Sequence, residues 1–149
     1  VAYKTISIID DGSIQKEALA DGSGIYPGYL LQHSSTAGDV QVHGTANGNA
    51  QRMFAIEDDL QGVEIGTAYT DNTRVLYKVF QRGNEVYAML AASQSIAIGD
   101  LLVSAGDGTL QEDTASSAGV VEYAESIVGV ALEAVTTTSA VARCRIEIL

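Results

Sequence analysis

His33 and His43 lie ten residues apart in a polar, Gly/Asn-rich stretch, HSSTAGDVQVHGTANGNAQ. Paired histidines are the first place to look for a metal. A zinc site, however, wants HExxH or clustered Cys and His, and neither occurs here. The spacing reads as solvated loop histidines. Glu57-Asp58-Asp59 and Asp10-Asp11 bring carboxylates together. A calcium loop places oxygens at alternate positions around a central glycine with a late glutamate, and neither run has that order. The Asp107-Gly108 and Glu112-Asp113 neighbourhood misses it as well. These runs read as solvated turns.

Nucleophile and phosphate chemistry find equally little. Cys144 falls on the apolar side of an alternating segment, where a small buried hydrophobe is expected. No GxSxG elbow is present. Gly22-Ser23-Gly24 and the Gly106–Thr109 stretch are glycine-rich. The first is followed by Pro27 with no helix pattern, and the second has no Lys for a phosphate loop. Both read as turns. Arg74, Lys78 and Arg82 make one short basic stripe on a strand edge. The residues therefore predict no catalytic group, no cofactor and no metal.

The chain has 149 residues, enough for one domain or two small repeats sharing a core. Eight Lys+Arg against nineteen Asp+Glu give a net charge of −11. That balance argues against nucleic acid, where a basic footprint supplies most of the affinity, and against anionic membranes. No apolar run approaches the ~20 residues of a membrane span. VAYKTISIIDDG has acids where a signal peptide would have a small-residue cleavage site. One cysteine forms no internal disulfide, so synthesis inside a cell is the expectation.

Periodicity points to an all-β chain with one or two short helices, arranged as a small barrel or sandwich. Residues 1–9 read as a strand and SIQKEALA at 13–20 as two helical turns. RVLYKVF at 74–80 and the segment at 86–92 flank Gln81-Arg82-Gly83-Asn84, which predicts a β-hairpin. Strands are further expected at 40–42, from 53, on both sides of Asp107-Gly108, at 127–135 and at 140–149. Residues 112–126 read as a short helix or a loop.

The halves also resemble one another. Ile25, Gly28, Leu30 and Leu31 fall on Ile96, Gly99, Leu101 and Leu102. Gly38 to Gln41 fall on Gly108 to Gln111, Phe54 to Glu57 on Val130 to Glu133, and 74–80 on 142–148. This organisation suggests an N-terminal arm at 1–24 and a core at 25–149, with repeats at 25–92 and 96–149. An apolar strand outside the duplicated core either completes its own sheet or adds to a neighbour's edge.

FAIEDDLQG at 54–62, Tyr69, RVLYKVFQRGNEVYAMLA at 74–91, GDLLVSAGDGTLQ at 99–111 and IVGVALEAV at 127–135 together resemble the head decoration, or capsid cement, proteins of tailed bacteriophages. The resemblance runs from Phe54 to Leu149 and does not reach residues 1–24. It implies a non-enzymatic virion protein, made in the host cytoplasm. It implies a place on the outer surface of the expanded capsid, bridging major capsid protein subunits as a homo-oligomer, a trimer by preference. Tyr3, Ile6 and Ile8 are then the expected contacts with capsid or with a neighbouring protomer. Two other readings compete. One is a carbohydrate-binding or adhesion module on a virion or cell surface, with Tyr26, Tyr29, Tyr69, Tyr77, Tyr87 and Tyr123 as a stacking platform. The other is an enzyme whose site is assembled across an oligomer interface.

Overall fold

The computed structural model describes residues 2–114 and 124–149. Its strands are β1 (Ser7–Ile9), β2 (Ile14–Ala20), β3 (Leu31–His33), β4 (Asp39–Val42), β5 (Met53–Ala55), β6 (Arg74–Val79), β7 (Glu85–Leu90), β8 (Ser95–Ile96), β9 (Leu101–Ser104), β10 (Leu110–Glu112), β11 (Gly129–Ala131), β12 (Val135–Thr136) and β13 (Ala142–Ile148). The all-β expectation holds. A single 3-10 turn, Asp59–Gln61, is the helical element among the described residues. The expected loop or helix at 112–126 lies largely outside them.

The strands form two barrels with the same wiring. In the second, β7-β10-β9-β11-β13 closes on itself, because β7 pairs in parallel with β10 and antiparallel with β13. In the first, β2 pairs in parallel with β4 and antiparallel with β6. The remaining order is β4-β3 and β5-β6, and a bridge from Leu30 to Phe54 joins the ends. β2 thus plays the part of β7.

Backbone hydrogen bonds repeat with it. Gly28 N–H donates to Ala55 as Gly99 N–H donates to Ala131, at 2.8 and 2.9 Å. His43 bonds Leu30 as Asp113 bonds Leu101, and Ile56 bonds Leu76 as Leu132 bonds Arg145. Strand pairing therefore groups Ile14–Val79 and Glu85–Ile148, which moves β7 out of the first unit and β2 into it.

Two expectations fail for identifiable reasons. The segment 13–20 is strand β2 and not a helix. Its Gln, Lys, Glu, Ala and Leu favour helix locally, but β6 pairs along it from Ile14 to Leu19 and β4 joins at its end. Tertiary pairing overrides propensity. The predicted β6–β7 hairpin is also absent: β6 pairs β2 and β5, whereas β7 pairs β1, β10 and β13. In the intervening turn only Gly83 has positive φ, at 91°. Hairpins favour turns with positive φ at the first central residue, and turns lacking it splay the flanking strands. Asn84 fixes the crossing, accepting from Gln81 N–H at 2.7 Å and donating to the Asp11 carbonyl at 3.0 Å.

Ala20, Leu31, Val40, Met53, Ala55, Val75 and Tyr77 fill the first barrel. Val86, Ala88, Leu90, Leu102, Leu110, Cys144, Ile146 and Ile148 belong to the second core cluster, which continues through Leu30, Phe54, Ile56 and Phe80 of the first unit. The two barrels therefore share a buried seam.

Candidate interaction site

The N-terminal segment was the expected contact element, and it lies against its own chain. β1 pairs antiparallel with β7, and Tyr87 N–H donates to the Ile6 carbonyl at 2.9 Å. Ile6 is 0% exposed. It is anchored from the other side by Glu57, whose carboxylate accepts Ile6 N–H at 3.1 Å and the Thr5 hydroxyl. Ile6 is thus a core residue, and its side chain has no surface to offer a partner. The reason is steric: a strand laid on β7 must turn alternate side chains inward.

Tyr3 and Ile8 are half-buried and pack against the same cluster. The Tyr3 ring meets Tyr87 edge-on, with centroids 5.3 Å apart. Its hydroxyl accepts from Arg145 Nη1 at 3.0 Å, a bond that raises the guanidinium's pKa. Ser7 and Lys78 both donate to the Asp10 carboxylate. The Lys78 bond, then the Ser7 bond, hold that carboxyl below its ordinary value.

Several sequence candidates resolve differently. His33 is exposed as expected, but His43 is buried. Its Nε2 lies 2.9 Å from the Asn49 carbonyl, which only accepts, so Nε2 donates there. Nδ1 lies 2.8 Å from the Ser104 hydroxyl. A serine on a histidine invites comparison with hydrolytic sites. Here both side chains are buried, and Ser104 Oγ also accepts Gly106 N–H at 3.1 Å. The pair ties the end of the first barrel's β4 to the end of the second's β9. Cys144 is buried, as its strand position predicted, and burial pushes its thiol up to about 12. The acidic run Glu57-Asp58-Asp59 splits: Glu57 holds the arm, and Asp58 caps the 3-10 turn through Leu60 N–H. Among the described residues no group of three or more His, Cys, Asp or Glu is placed to hold a metal. No helix among them is long and apolar enough to cross a membrane. The tyrosine platform is dispersed. Tyr69, Tyr77 and Tyr87 are buried, and Tyr123 lies outside the described residues. Tyr26 and Tyr29 remain as a half-buried tilted pair, 5.5 Å between centroids.

Sequence reading overlooked two arginines that organise the molecule. Arg143, on β13, donates to the carbonyls of Pro27 at 2.7 Å and Ile65. It also stands 6.0 Å from the Tyr87 ring centroid and so staples the second barrel to the first. Arg52 donates to the carbonyls of Leu149 at 3.1 Å and Ile127 at 2.6 Å, and to those of Ala50, Ala124 and Glu125. Burial lowers the pKa of both guanidiniums. An isolated Arg in a β-rich sequence carries no local signal of such a role, because its acceptors are main-chain carbonyls distant in sequence.

Grooves open on the surface of the described residues. One is lined by Lys4, Thr5, Glu57, Asp59, Glu64 and Ile65. Another runs between β2 and the 3-10 turn, beside Gln15, Glu17, Leu60 and Arg74.

No protein-family model and no curated protein matches the chain. Among solved structures, the fold is similar to the N base of the head fiber gp8.5 of bacteriophage phi29, with a TM-score of 0.57. The likeness covers 92% of this chain and 94% of that one at 14% sequence identity. The chain thus shares its overall fold with that structure.

Proposed function

We propose that this chain is a structural protein of a bacteriophage virion that sits on the outer surface of the expanded head and stabilises it by bridging major capsid subunits. The observation that carries the reading is the fold likeness to a head-fibre base, which extends over nearly the whole chain. The physics is linkage. A clamp that binds the expanded lattice and not the immature shell stabilises the expanded state by RT ln(1 + [L]/Kd) per site, about 2.7 kcal/mol at 100 Kd. Several weak contacts from one oligomer add by avidity. The −11 charge keeps decorated particles apart.

The test is to mix the purified protein with undecorated expanded heads and with immature shells. Saturable binding to the expanded heads alone, with a raised melting temperature of the particle, is expected. Equal binding to both forms, or none, ends the proposal. The same structural neighbour favours a second reading, in which the chain is a base seating a longer head-surface fibre. Electron microscopy of native particles separates the two: projecting fibres mark the base, and a flat decorated surface marks the clamp.

A further inference from the structure

The second barrel covers a strand edge that the first barrel leaves bare. Asp21 N–H donates to the Val40 carbonyl as Ala91 N–H donates to that of Leu110, both at 2.8 Å. That match sets Gln15, Lys16 and Glu17 of β2 in the places of Glu85, Val86 and Tyr87 of β7. On β7 the stretch is occupied. β1 lies antiparallel along it, with Ser7 opposite Val86 and Ile9 opposite Glu85, and Tyr87 N–H donates to the Ile6 carbonyl at 2.9 Å.

On β2 the stretch is open. β6 pairs one edge from Ile14 to Leu19, and β4 reaches the other edge only at Leu19 and Ala20. Ala20 N–H donates to the Thr73 carbonyl at 2.8 Å, so alternation along the antiparallel ladder gives Ala18, Lys16 and Ile14 the bonds to β6. Gln15 and Glu17 then aim their N–H and C=O groups away from β6, and no described strand meets them there. Every residue from Ile14 to Glu17 is exposed. Two donors and two acceptors thus stand in a row, clear of the β4 pairing.

The side chains along this edge say what would cover it. Ile14, Lys16 and Ala18 share the face that Ala20 turns into the barrel core. Ile14 is 53% exposed. Lys16 stands where β7 carries the buried Val86, and it forms no ion pair among the described residues. A second copy pairing antiparallel through the same four groups would set Lys16 directly against Lys16. Like charges placed opposite one another destabilise a strand pair, and lysine on an edge guards against such self-pairing. A carboxylate opposite Lys16 has the reverse effect.

We infer that Ile14–Ala18 of β2 is a strand-addition site for an extended segment of another protein, laid antiparallel as β1 lies on β7. That segment carries a carboxylate opposite Lys16 and apolar residues opposite Ile14 and Ala18. Main-chain bonds to Gln15 and Glu17 supply the affinity, and the alternate side chains supply the selection. The inference rests on the bare edge and does not depend on the proposed function.

The probe is the blocked peptide Thr-Val-Thr-Glu-Thr-Val-Thr, titrated to millimolar concentration into the full isotope-labelled chain and followed by NMR. Saturable shifts at the amides of Gln15 and Glu17 are expected. N-methylating the two threonines that flank the peptide glutamate should abolish them, because those N–H groups face β2. Replacing the peptide glutamate by lysine should weaken binding about fivefold or more, and Lys16→Glu in the protein should reverse that preference. Lys16 is exposed, so the variant's circular dichroism spectrum should match wild type. The inference is overturned by an absence of shifts, by shifts centred away from β2, by binding that survives N-methylation, or by equal binding of the two peptides.

Discussion

Asp10 shows how one carboxylate ties the N-terminal segment down. It accepts from Lys78 on β6 and from Ser7 on β1. Those bonds hold its pKa below the ordinary 3.8. A depressed carboxyl contributes stability that is present above its unfolded value and lost as pH falls through the folded one. Asp10→Asn is therefore expected to be less stable than wild type at neutral pH, with the gap closing below pH 3.8. Urea denaturation of both proteins across that range checks it; a constant gap at every pH contradicts the assignment. Sequence alone showed Asp10 only as half of an acidic pair. Its partner Lys78 is far along the chain, and no local pattern joins them.

At the scale of elements, the two matched turns give a comparison internal to the molecule. Gly28 and Gly99 both sit at positive φ, where an added Cβ strains the backbone. Only Gly28 also faces backbone and a guanidinium at contact distance. Gly99→Ala is expected to cost about 1 kcal/mol and Gly28→Ala about 2–4 kcal/mol, since the second adds overpacking to the same backbone strain. Equal losses in denaturant melts would show that the junction yields freely. The matched glycines were legible as a sequence repeat. Which of them was buried was not, because burial depends on what the rest of the chain folds against. β2 teaches the converse. Its residues favour helix, and only the arrival of β6 and β4 on its edges makes it a strand.

Over the whole molecule, the seam makes the barrels one folding unit. The second barrel's core includes Ile6, Leu30, Phe54 and Ile56 from the first half of the chain. A fragment spanning residues 81–149 should therefore expose that apolar surface and fail to fold alone. The intact chain should unfold in one transition, with far-UV circular dichroism and tyrosine fluorescence coincident. A fragment with cooperative unfolding and native-like dispersion in its NMR spectrum would contradict the shared core. Deleting residues 1–9 would likewise disturb the fold, because it removes Ile6 from that core and β1 from β7.

The sequence by itself determined the β class, the strands that alternate with period two, the repeated glycine turns and the acidic surface. These are properties of neighbouring residues, and neighbours are what a sequence displays. Tertiary structure alone decided that β6 and β7 part into different barrels, that His43 and Ile6 are buried, and that Arg52 and Arg143 are staples. Each of those outcomes rests on a hydrogen bond or contact between residues far apart in the chain. Whether such a contact forms depends on the closure of the barrels, which no single stretch of residues encodes.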